Sequence, residues 1–68
     1  MTIEQLAQHA LRLAREFPNG LDGCEHGNSL IGSVLSMRFQ APRQYTEHAC
    51  RLVRRQIKGA RRSKGRIA

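Results

Sequence analysis

From Thr2 to Phe17 the apolar residues recur at helical spacing rather than in alternation. At about 100° per residue, Ile3, Leu6, Ala7, Ala10, Leu11, Leu13, Ala14 and Phe17 gather on one side. Glu4, Gln5, Gln8, His9, Arg12, Arg15 and Glu16 take the other. Thr2 suits the N-cap, with Gln5 as the reciprocal partner of a capping box. Pro18 cannot continue a helix and Asn19-Gly20 is a turn dipeptide, so the element is predicted to end near Phe17.

Residues 18–28 contain Gly20, Gly23 and Gly27 and read as a loop with Leu21 as its apolar anchor. A second helix is expected from Asn28 or Ser29, either of which suits an N-cap. Its apolar arc is broad: Leu30, Val34 and Met37 form one stripe, and Ile31 and Leu35 an adjoining one. That breadth suggests contact with two neighbours, and Gly32, Ser33 and Ser36 would let another backbone come close. A short buried strand fits the same apolar run. Pro42 is placed to open a third helix, with Tyr45, Ala49, Leu52, Val53 and Ile57 as its apolar face. Gly59 is the expected stop. The sequence thus predicts an all-α domain of three helices, about 2–17, 29–38 and 42–58. Residues 1–59 make the domain and residues 60–68 a basic, flexible tail.

Length limits what this pattern can hold. A chain of 68 residues buries only about 60% of its unfolded surface, so a monomer is of marginal stability. Phe17, Phe39 and Tyr45 are its only aromatic residues besides histidine. A homodimer, or ordering on a partner, would relieve the shortfall. Residues 2–17 make no continuous apolar segment of the kind a secretory signal has, and nothing approaches a membrane span. Two cysteines are too few for the disulfide framework of a small secreted domain. The expectation is a reduced cytoplasmic protein with no membrane partner.

Charge sharpens the picture once it is divided along the chain. Residues 1–47 carry four cations against five acids, whereas residues 48–68 carry eight cations and no acid. The net charge of +7 therefore comes entirely from the last third. Arg51, Arg55, Lys58 and Arg62 follow at helical spacing with Arg54 and Arg61 beside them, and Lys64 and Arg66 lie beyond. Together with Arg43 these are the candidate binding residues. Six of the eight are arginine, whose planar donor fork suits phosphate better than a point charge does.

The pattern points to a small non-enzymatic accessory or regulatory protein that binds DNA or RNA through phosphate contacts. The alternative partner is an acidic protein surface, met by an adaptor or inhibitor. A helix–turn–helix built from the last two helices would present Arg43, Gln44 and Glu47 to base edges. Aromatic residues are too few for a base-stacking platform.

Other chemistries find less support. Cys24, His26, His48 and Cys50 are the residue types of a structural zinc site, but each pair is separated by one residue where two to four is usual. Scattered single acids give no paired-carboxylate centre, and the glycines match no phosphate loop. No cofactor and no catalytic residue is expected.

Overall fold

The computed structural model describes the backbone through Ile67 and side chains through Gly59. Three α-helices, α1 (Ile3–Glu16), α2 (Leu30–Phe39) and α3 (Arg43–Ile67), are joined by a loop with two short 3-10 turns at Pro18–Leu21 and Cys24–His26. There is no strand among the described residues. The all-helical reading holds, and no described helix is long and apolar enough to cross a membrane.

Local chemistry sets the helix ends. Thr2 Oγ1 accepts the Gln5 amide at 3.2 Å, and Gln5 Oε1 accepts the Thr2 amide at 2.9 Å, completing the expected capping box. Ser29, rather than Asn28, caps α2 by accepting the Gly32 amide at 2.9 Å. Gly23 and Gly27 bracket the second 3-10 turn with φ of 88° and 72°, a region that side chains with a Cβ enter at a cost. The Gly23 carbonyl accepts from both His26 and Asn28, folding the loop back beneath the start of α2.

Ala10 and Ala14 of α1 meet Ile31 and Leu35 of α2 and Cys50 and Val53 of α3, with Leu21 and Cys24 of the loop filling the gap; Leu6 and Ala49 are buried as well. Leu21 is the loop anchor that its sequence position suggested. Gly32 lets the Glu47 side chain of α3 pack against the α2 backbone, since a methyl group added there would overlap the Glu47 carboxylate.

Three features depart from the periodicity. On α2 the Leu30, Val34 and Met37 stripe faces outward at 61%, 39% and 80% exposure. α2 touches two neighbours, α1 and α3, as its breadth suggested, but through the Ile31–Gly32–Leu35 side, which leaves this stripe uncovered. On α3 the buried face is Thr46, Glu47, Ala49, Cys50 and Val53, while Tyr45 is exposed and Leu52 only half-buried. The face is turned by roughly 65° from the one its large apolar residues suggest. The helix also runs through Gly59 to Ile67 instead of stopping near Lys58. A glycine in a helix costs about 1 kcal/mol relative to alanine, too little to end a helix of 25 residues by itself. The flexible tail expected over 60–68 concerns residues whose side chains lie outside the described ones.

Candidate anion-binding surface

The basic residues of α3 divide into those tied to the fold and those free of it. Arg43 donates to the Gly27 carbonyl at 3.1 Å and to Glu47 Oε2 at 3.2 Å, which places it in a structural junction although its side chain is half exposed. Arg51 donates to the Cys24 carbonyl at 3.1 Å and fastens the loop to α3. Arg54 Nη1 lies 4.0 Å from Cys24 Sγ, a weak acceptor that leaves most of the guanidinium's five donors available. Arg55 and Lys58 are exposed. Arg61, Arg62, Lys64 and Arg66 fall on the continuing helix, and their side chains lie outside the described residues.

Glu47 is the only acid on α3, and it is 2% exposed. Its carboxylate accepts the Ser29 amide at 3.1 Å through both oxygens, the Ser29 hydroxyl, and the Arg43 guanidinium. It sits at the N-terminus of α2, where free amides and the helix dipole favour negative charge. This overturns the idea that Arg43, Gln44 and Glu47 form an exposed base-reading row. Glu47 is interior, Arg43 is engaged with it, and Gln44 alone stands free. A polar residue followed by Ala49, Cys50 and Val53 and facing a glycine was the available sign, and amphipathicity alone assigns such a residue to solvent.

With this acid removed from the surface, the charged side chains exposed on α3 are all cationic among the described residues. Among the described residues the only ion pair is Arg43–Glu47, so Arg55 and Lys58 keep their full charge for a partner.

The cysteines prove to be core residues. Cys24 and Cys50 are both fully buried and unbonded to each other. His26 and His48 are exposed, and no three His, Cys, Asp or Glu side chains cluster as metal ligands among the described residues. Burial pushes the Cys50 thiol up from 9.0 to about 11, with the negative charge of Glu47 acting in the same direction and Ser29, 3.6 Å away, opposing it. Both thiols are therefore expected to resist iodoacetamide in the native protein and to alkylate in denaturant, which mass spectrometry can count. The unfolded thiol ionises near 9.0 and the folded one only near 11, so the fold loses stability as pH rises through that window. Cys50→Ala is expected to flatten that part of the stability–pH curve, and an unchanged curve would assign it to other groups.

No family model, no curated protein and no solved structure matches this chain.

Proposed function

We propose that this is a small non-enzymatic nucleic-acid-binding protein of accessory or regulatory type, which holds phosphate through the basic face of α3. The observation that carries the reading is a helix of 25 residues whose single acid is buried and neutralised, leaving only cations among the charges on its outer face. Such a face attracts a polyanion from a distance and releases counterions when it docks. α1 and α2 act as the scaffold that fixes its orientation. Gln44 alone is poorly matched to sequence readout, so binding is expected to depend on charge and shape more than on base order.

Titration with random-sequence DNA and RNA across a salt series tests this directly. With about five phosphates neutralised, log K should fall against log salt with a slope of roughly −4 to −5 for duplex DNA. Affinity that is flat across the series would overturn the proposal.

One observation favours a second reading. The Leu30–Val34–Met37 stripe is an exposed apolar strip on α2, and its first residue adjoins Ser29, the cap bonded to Glu47 at the start of α3. An exposed apolar strip on a domain that also carries a cationic helix suits an adaptor or inhibitor that docks on an acidic protein. Retention of a protein partner after nuclease treatment, lost on Val34→Asp and Met37→Asp, would favour that reading over nucleic acid.

A further inference from the structure

We infer that the cleft between the last turn of α1 and the middle of α3 is a binding site for a phosphate ester, in which Arg15 acts with Arg54 and Lys58. The inference takes its ligand class from the function proposed above. It adds a second wall, from α1, to a surface so far built from α3 alone.

The cleft measures about 460 Å³ and has cations on both sides. Arg15 comes from α1, and Arg54 and Lys58 come from neighbouring turns of α3. Leu21, which is buried, and Ile57, which is half-buried, supply an apolar floor. Asp22 is the only acid in the lining. Against it stand three cations, a local excess of two.

Each part has a use in binding an ester of this kind. Arg54 is half-buried with Nη1 4.0 Å from Cys24 Sγ, which leaves most of its donor fork available to a ligand. Arg15 and Lys58 are exposed and can close on the other phosphate oxygens. The C-terminal end of α1 opposes an anion slightly through its dipole, which makes the arginine in that last turn necessary there. The volume lies within the usual range of about 300–1,000 Å³ for small-molecule sites, and bare phosphate would leave much of it empty. A nucleotide unit fits this chemistry, with phosphate among the cations and its sugar or base edge on Leu21 and Ile57. That unit could belong to a nucleic-acid strand or to a free nucleotide.

The test compares Arg15→Gln with Arg12→Gln. Both residues are exposed on α1, both changes remove one charge, and only Arg15 lines the cleft. Binding of a single-stranded oligonucleotide is read by fluorescence anisotropy at fixed salt. Adenosine monophosphate and adenosine are titrated separately while backbone amides are followed by NMR. Arg15→Gln is expected to weaken oligonucleotide binding roughly tenfold more than Arg12→Gln, the loss of one charge-assisted contact. Asp22→Asn is expected to strengthen it. The monophosphate, but not adenosine, should shift amides at 14–22 and 54–58. Equal effects of the two arginine changes, with no such shifts while the oligonucleotide still binds, would sink the cleft and leave the α3 reading standing. Shifts from the monophosphate without oligonucleotide binding would keep the cleft, name the free nucleotide as its ligand, and sink the polymer reading. Absence of both would remove both.

Discussion

Glu47→Gln is expected to lower the melting temperature by roughly 4–24 °C, although it preserves side-chain shape and removes one charge. The carboxylate is 2% exposed and serves as acceptor to the Ser29 amide, the Ser29 hydroxyl and Arg43. An amide offers one oxygen in place of two and turns an NH2 group toward donors. At least one buried donor then lacks a partner, which costs about 1–3 kcal/mol. In a domain this small each kcal/mol moves the midpoint by about 4–8 °C. Glu47→Ala is more damaging, since it leaves the Ser29 amide, the Ser29 hydroxyl and Arg43 all without this acceptor. Glu25→Gln, an exposed acid in the loop, provides the charge control and should change stability by no more than about 0.5 kcal/mol. A Glu47→Gln protein melting within a degree or two of the parent would show that the junction is dispensable.

The junction also explains why the sequence was only partly legible. α1 could be read closely because its core face uses Leu6, Ala10 and Ala14 in a clean stripe between a capping box and a proline, although Phe17, expected on the same side, is exposed. α3 could be located but not correctly rotated. Its large apolar residues, Tyr45 and Leu52, lie toward the rim, and the small Thr46, Ala49 and Cys50 lie at the centre. Close helix packing asks for that arrangement, because small side chains at the contact let the backbones approach and larger ones cover the edges. Hydrophobicity weights the large residues and so finds the wrong centre. Gly32 opposite Glu47 is the matching half of the same design. Its small size is visible in the sequence, and the carboxylate that packs against it is not.

The candidate surface was legible as composition and less so as geometry. Eight cations without an acid are visible in the letters alone. Hydrogen-bonding roles are not, because they depend on loop carbonyls far away in sequence. Arg51 and Arg43 are held by Cys24 and Gly27, and Arg15 comes to line a cleft with Arg54 and Lys58 only through the packing of α1 on α3. Arginines that look alike in a helical projection therefore have different consequences when changed.

Arg55→Gln combined with Lys58→Gln is accordingly expected to reduce nucleic-acid affinity about a hundredfold at low salt while leaving the fold intact. Both side chains are exposed and neither has a hydrogen-bond partner among the described residues, so the stability change should stay within about 0.5 kcal/mol. Two lost phosphate contacts at about tenfold each give the loss in affinity. They should also flatten the salt dependence by about 1.8, since each contact contributes near 0.9. Arg51→Gln separates this effect from a structural one. It gives up the bond to the Cys24 carbonyl, so it should cost about 1 kcal/mol of stability as well as affinity. The slope is the deciding measurement. Weaker binding with an unchanged slope would mean that Arg55 and Lys58 act by some route other than phosphate contact, and the basic face of α3 would lose its assigned role.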